Sequence, residues 1–509
     1  MAAETHHIVA LLIPGWGHVV NYISLAIQML KHDPALVITL FEHNLVVPQM
    51  EKELKTLEYD EKRLRIIGVG EGNLPFSPTQ LADAFAELAQ GWMKWLAESG
   101  PAGESAAWPK PHAIHMDFFI GGLVIDKTKE IMGPACKTLL WFSSPAAAMP
   151  CHLSDYDFAK LGDEIFADDT RRQGRSMEEI LHQIILAWNG TDRLSGMVVK
   201  CPGMPDMYDY ERVSFSDEMP PAPGMAHLFI AAQKFGKLAD GYITPTATCL
   251  EPVGVPQCRE LYAAQGKNLF TIGVQAHELC WTEDLPSPPP ITNETVKAFL
   301  KNRPPRSVLY ISFGSLFFPP NQGLVKALVD TLLELDFPFL FALGGKMASL
   351  PADLIESVNS SGKGLICNFW VEQRAILLQG TIGWFLTHGG FNSISEALSQ
   401  RIPLIIWPLS AEQPINAAFL SSGPRPVAIE LRQVRPKYTV APPYESLRGA
   451  AMTPRGNKAD AVEEFRKTFE NARGEIGASL TKNAIEMGDG LRTARKGEAV
   501  DEIRRLAKF

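Results

Sequence analysis

Short apolar runs alternate with helix-period stretches along most of this chain, and few folds accommodate that pattern. HIVALLIP (7–14), LVITLFE (36–42) and RLRIIGVG (63–70) have strand length, and YISLAIQMLK, after the first of them, has the spacing of an amphipathic helix. A strand apolar on both faces needs cover on both, so the alternation predicts a parallel sheet with helices above and below it. HAIHMDFF and KTLLWFSS continue the series. Prolines and turn residues then cluster at 281–306, WTEDLPSPPPITNETVKAFLKNRPPR, the expected linker. SVLYISFGS restarts the alternation, followed by LVKALVDTLLEL and FPFLFALGG. A length of 509 residues exceeds what one core usually supports. Two doubly wound α/β domains are therefore expected, over 1–280 and 307–489. The segment 423–456, rich in proline and arginine and poorly periodic, reads as a long surface loop.

The formal net charge of -9, with Lys and Arg scattered, argues against a nucleic-acid partner, whose affinity rests on a basic surface. No apolar stretch reaches membrane-spanning length, and MAAETHHIVALLIPGWGH lacks the basic flank and cleavage site of a secretory leader. The seven cysteines are odd in number and lack CxxC spacing. A reduced, cytoplasmic chain is expected, with neither a disulfide framework nor a zinc site.

Within the second half, WVEQRAILLQGTIGWFLTHGGFNSISEALSQRIPLIIWPLSAEQPIN (370–416) reads as strand, glycine turn, helix and strand with polar groups at both rims. Glycines let the backbone approach an anion, and a helix start supplies unpaired N–H groups and a positive dipole end. Ser393 and Glu396 also fit a Ser-x-x-Glu capping box, and Asn392 a cap, which need no ligand. Near the N-terminus His18 follows Pro14-Gly-Trp-Gly at the carboxyl end of the first strand. It is either a surface or cap residue, or a base facing the crevice, with an ordinary pKa suited to proton removal near neutrality.

The 370–416 segment resembles, position by position, the signature box of the family 1 nucleotide-sugar-dependent glycosyltransferases. The resemblance implies the GT-B fold, two facing Rossmann-like doubly wound domains, with a C-terminal helix at 490–509 returning to the first. It implies that Trp370 stacks on uracil, the Val371 backbone meets the base edge, and Gln373 and Glu396 take the ribose hydroxyls. His388, Asn392 and Ser393 would hold the phosphates with the Gly390 backbone nearby, and Ser315 in the SFGS turn would add a second phosphate contact. Glu412 and Gln413 would bind sugar hydroxyls. Departures from the usual pattern are Glu372 for proline, Gln379 for histidine, Gly389 for cysteine, Phe391 for tryptophan and Glu412 for aspartate. The last lengthens the sugar-binding carboxylate.

The same resemblance makes His18 the catalytic base and Asp117, in its D-x-F context, the partner that orients it. Asp117 equally suits a helix N-cap. Asp126 is its rival, but falls inside a predicted helix. Ser143, in LWFSSPA, would touch the donor sugar. A single displacement with inversion is implied, the acceptor oxygen attacking as UDP departs, without metal or cofactor beyond the UDP-sugar, UDP-glucose by preference. Trp92, Phe119 and Trp188, among several aromatics of the first domain, are expected to line a pocket for a phenol, flavonoid, sterol or terpenoid alcohol. Aromatics at helical spacing are also ordinary core residues. A monomer is expected.

Three other readings compete. A nicotinamide-dependent oxidoreductase would use PGWGHVV and Glu42, but Val20 stands at the third glycine of that fingerprint. A non-catalytic nucleotide-sugar sensor would have no use for the His18–Asp117 pair. A sugar transferase acting on a lipid carrier would be expected to bring a membrane-seeking helix.

Overall fold

Each apolar run becomes a strand with helices on both sides. The computed structural model describes residues 5–72, 78–100, 102–152, 157–188, 198–208, 211, 225–281, 289–345, 347–435, 445–449 and 453–509. They group into a first unit of Met1–Trp188, Pro221–Gln275 and Thr493–Phe509, and a second of Asn189–Pro220 and Ala276–Arg492.

The first unit is built on β1 (His6–Leu11), β2 (Leu36–His43), β3 (Leu64–Val69), β4 (Pro111–Asp117), β5 (Lys137–Trp141), β6 (Gly241–Thr244) and β7 (Asn268–Thr271). Their order in the sheet is β7-β6-β5-β4-β1-β2-β3, with every pairing parallel. Helix α1 (Trp16–His32) buries Val19, Tyr22, Ile23, Ala26, Ile27 and Leu30, a stripe at three- and four-residue spacing that lies on the sheet. Lys31 and His32 occupy its last turn, where positive charge favours the helix dipole. α2 (Pro78–Glu98) and α3 (Phe118–Met132) belong to the same unit. So does the last helix, Glu498–Ala507, whose Ile503, Leu506 and Ala507 are buried in this core.

The second unit repeats the plan with β8 (Val308–Ser312), β9 (Phe339–Ala342), β10 (Gly364–Cys367), β11 (Ile382–Thr387), β12 (Leu404–Ile406) and β13 (Ala428–Glu430), in the order β10-β9-β8-β11-β12-β13, all parallel. In both sheets the order reverses once, at β1/β4 and at β8/β11. Crevices that hold ligands form where the strand order of an open parallel sheet reverses.

Four sequence expectations need correction. Asn189–Pro220 groups with the second unit, not the first. The stretch read as a linker holds a helix, Glu294–Leu300, started by the Asn293 side chain; 282–288 lie outside the described residues. Cys201 is disulfide-bonded, while Cys136, Cys249, Cys258, Cys280 and Cys367 are free. A pairing between distant cysteines leaves no spacing signal in the sequence. Finally, the described parts of 423–456 are largely not a surface loop: Glu430, Arg432, Arg435 and Ser446 are buried. Arg432 bridges Glu211 (3.2 Å) and Glu430 (3.1 Å), and Arg448 also pairs with Glu430 (2.6 Å). Paired charges can be buried where single ones cannot, so arginine content misleads about exposure.

Among the described residues no helix is long and apolar enough to cross a membrane. Nor do three or more His, Cys, Asp or Glu side chains among them group as metal ligands.

Candidate functional site

At the β1/β4 crevice the sheet itself delivers the two residues singled out by sequence. Asp117 ends β4, and His18 sits in the first turn of α1, directly after β1. His18 Nδ1 lies 2.8 Å from Asp117 Oδ2, with Asp117 fully buried and the His18 side chain 31% exposed. The other carboxylate oxygen of Asp117 accepts from Phe119 N–H at 3.2 Å, capping α3. A carboxylate on Nδ1 fixes the proton there and leaves Nε2 as the basic nitrogen. Trp141 Nε1 donates to the His18 carbonyl at 3.0 Å, anchoring the turn. Ser143 Oγ lies 3.3 Å from His18 Nδ1, and the half-buried Phe119 ring is 6.4 Å from the imidazole. Asp126 is exposed and ion-paired with Lys234, which removes it as a partner for the histidine.

Trp92 does not line a pocket. It is fully buried, stacks on Trp95 at 5.1 Å, meets Phe41 edge-on at 5.3 Å, and donates from Nε1 to Thr128 Oγ1 at 2.9 Å. A tryptophan so enclosed and satisfied is core. Trp188 closes the helix Met177–Trp188, and its side chain lies outside the described residues.

At the β8/β11 crevice Ser315 is exposed in the turn after β8, and His388 follows β11. The His388 ring is held between two glycines: a Cβ on Gly314 would come within 2.8 Å of Cε1, and one on Gly390 within 2.4 Å of Nε2. Gly389 has φ +87°, a left-handed conformation, and its Cβ would meet Ile406 Cγ2 at 2.7 Å. A side chain at any of these positions would have to displace the His388 ring or Ile406, and at Gly389 would also be strained by the positive φ. Enclosure lowers the His388 pKa to about 4, so the ring is neutral near pH 7. Thr387 Oγ1, 3.2 Å from Nδ1 and accepting from Gly389 N–H at 3.5 Å, places the ring proton on Nε2 when its hydroxyl donates.

Helix α4 (Phe391–Ser399) starts at Gly390 with no side-chain cap. The capping-box alternative fails: Ser393 is the third helical residue, and Glu396 turns to other partners. Its carboxylate accepts from Gln373 Nε2 at 2.7 Å and from Arg374 Nε at 3.1 Å. The helix start, uncapped by side chains, keeps the anion-binding character of such termini, with Asn392 and Ser393 in its first turn. Trp370, 61% exposed after β10, packs by its ring edge against Gly344 at the end of β9, and Val371 beside it is buried. At the far rim Ala411 takes φ +52° before the half-buried Glu412. Gln413 is buried, its Oε1 accepting from Leu409 N–H (2.9 Å) and Ser410 N–H (2.8 Å). That side chain shapes the loop which carries Glu412.

Several supporting residues escaped sequence reasoning. Asn416, fully buried, donates from Nδ2 to the Gly389 carbonyl at 2.9 Å and fixes the glycine turn. Tyr310 and Arg374 bond to Gln373 and Glu396. The only signal for any of them was Asn416 standing at the end of the Glu-Gln-x-x-Asn run.

Residues 288–435 match the family described as UDP-glucoronosyl and UDP-glucosyl transferase. The UDP-glycosyltransferase eriJ of Hericium erinaceus is 32% identical over 308 residues, 58% of this chain and 59% of that protein. A flavanone 7-O-glucoside 2''-O-beta-L-rhamnosyltransferase of Citrus maxima is 36% identical over 158 residues, 30% of this chain and 33% of that protein. The chain thus spans less than two thirds of the length of these relatives. In fold, it matches a UDP-glucosyltransferase from Polygonum tinctorium at a TM-score of 0.69 and 20% identity, covering 100% of this chain and 99% of the other. It matches UGT71G1 of Medicago truncatula, solved with UDP-glucose, at 0.71 and 19%, covering 99% of this chain and 98% of the other. By its matched segment, its relatives and its two doubly wound domains, the chain resembles the family 1 UDP-glycosyltransferases.

Proposed function

We propose that this protein transfers a sugar, glucose by preference, from a UDP-sugar to a hydroxyl of a hydrophobic small molecule, inverting the anomeric centre. The observation that carries the reading is the buried Asp117 carboxylate 2.8 Å from Nδ1 of a half-exposed His18. Nε2 of His18 takes the acceptor's proton as its oxygen bonds to the anomeric carbon. The bond from that carbon to the diphosphate oxygen breaks with its electron pair, and UDP leaves from the opposite face. Asp117 then stabilises the imidazolium. Negative charge developing on the diphosphate is met by the α4 start, by Ser315, Asn392 and Ser393, and by neutral His388 donating from Nε2. Trp370 supplies a face for uracil, Gln373 and Glu396 take the ribose hydroxyls, and Glu412 takes sugar hydroxyls. Phe119 offers apolar surface to the acceptor beside the base, and Ser143, 3.3 Å from the imidazole, adds a hydroxyl toward the sugar.

The proposed base belongs to the first unit and the proposed donor groups to the second. A mass-spectrometric screen of UDP-sugars against phenols, flavonoids, sterols and terpenoid alcohols should give a glycoside and UDP with the wild type. His18→Ala should bind UDP as before and form product at least about a hundredfold more slowly, the scale of a lost general base. Undiminished transfer by His18→Ala would overturn the mechanism, and UDP binding without turnover on any acceptor would favour a sensor.

A further inference from the structure

Glu396 projects from the second turn of α4 and is only 14% exposed. Each of its two carboxylate oxygens has a fixed donor, Gln373 Nε2 on Oε2 and Arg374 Nε on Oε1. The amide of Gln373 is itself oriented, because the buried Tyr310 hydroxyl donates to its Oε1 at 3.2 Å and turns its Nε2 toward the carboxylate. Both carboxylate oxygens are thereby held in this orientation. A carboxylate offers about four lone-pair directions, so two of them remain for incoming hydroxyls.

We propose that Arg374 is a positioning residue: it aims Glu396 at the two adjacent hydroxyls of a ribose and so selects ribonucleotide over 2'-deoxyribonucleotide donors. The proposal rests on the reading of Gln373 and Glu396 as the ribose contacts. Arg374 does two things that Gln373 cannot. It is a cation, so it offsets the carboxylate charge that would otherwise oppose a diphosphate entering the same unit. Its guanidinium is also planar and rigid, which lets it hold a carboxylate oxygen in direction as well as distance. With both oxygens aimed, each ribose hydroxyl meets a waiting acceptor. A 2'-deoxyribose leaves one of them unfilled, and an unfilled, largely desolvated acceptor is penalised.

Calorimetric titration with UDP and with 2'-deoxy-UDP tests this on the full chain. Wild type should prefer UDP by roughly tenfold or more, the scale of one charge-assisted hydrogen bond. Arg374→Met should weaken binding of both nucleotides through the uncompensated carboxylate, but UDP about tenfold more than 2'-deoxy-UDP, so that the ratio approaches unity. Arg374→Lys restores charge but not the planar fork: it should recover part of the UDP affinity at low salt and little of the ratio. If Arg374→Met and Arg374→Lys both keep the wild-type affinity and ratio while Glu396→Gln loses them, Arg374 only packs and the proposal is wrong. If Glu396→Gln itself leaves UDP affinity and the ratio intact, the ribose reading fails, and this proposal with it.

Discussion

Asp117 does two jobs with two oxygens. Oδ1 caps α3 through Phe119 N–H, and Oδ2 holds His18. The cap and the proposed partner of the base, which sequence presents as alternatives, are the same side chain. The two roles separate in Asp117→Asn. Its carbonyl still caps the helix, but its amide N–H₂ faces Nδ1 and drives the imidazole proton to Nε2, the nitrogen that must be bare. The turnover number should fall by roughly 10³- to 10⁴-fold. Stability should change by no more than about 1 kcal/mol, because Asn and Asp cap equally well. Steady-state kinetics beside a thermal melt decides it: a large drop in unfolding temperature would mean that the acid is mainly structural. His18 and Asp117 were legible because strand ends in an open parallel sheet face the crevice, so a position in the chain already implied a position in space. Trp92 was not, since helical spacing marks a buried face without saying what is buried against it. Its partners Phe41 and Thr128 come from other elements.

At the scale of the element, the turn from Thr387 to Gly390 matters most. Its own residues mark it as a glycine turn ahead of a helix, and that local outline needs no distant information. What it could not supply was the far side of the turn, where Ile406 of β12 closes on Gly389 and Asn416 takes its carbonyl. Gly389→Ala should therefore cost about 1–3 kcal/mol of stability in the second unit, from the positive φ together with the methyl pressed on Ile406. UDP affinity should fall further than that of any variant on the apolar side of α4, because the displaced turn carries His388. Calorimetric titration with UDP would show it, and wild-type affinity in Gly389→Ala would mean that the turn does not touch the nucleotide. The same logic explains why 423–456 was misread while the strands were not. A strand announces itself by its own residues, whereas burying Arg432 takes Glu211, far away in sequence, as well as its neighbour Glu430.

For the whole molecule, pH is the variable that reaches both units at once. His7 and His115 in the first unit have pKa values lowered to about 4 and about 3, and His277 and His388 in the second are lowered to about 4, in each case chiefly by burial. His115 shows why: Tyr22 Oη sits 2.6 Å from Nδ1 and the buried Nε2 has no partner, so a charged ring would lose its hydration with nothing at Nε2 to replace it. An unfolded histidine titrates near 6.5, so below that pH the unfolded chain binds protons that the folded chain refuses. The stability these four contribute is complete above 6.5 and is lost as pH falls toward their folded values. Buried carboxyls oppose them in both units: burial raises Glu42 and Glu251 in the first, and Glu464, to about 7, in the second. A raised carboxyl favours the folded state below about 4.5, an advantage lost as pH rises through 7, so over that window it offsets part of the histidine effect. Glu430, held at about 2 by Arg432, Arg448 and Arg435 against the desolvation that pushes it up, enters only at lower pH. Scanning calorimetry between pH 7 and pH 5 should then show the unfolding temperature falling, because four depressed histidines outweigh three raised carboxyls. His115→Asn, whose carbonyl can accept from Tyr22 without titrating, should flatten the first unit's dependence by up to about 1.4 kcal/mol per pH unit. If the pH dependence of His115→Asn matched that of the wild type, His115 would not be an acid-labile group.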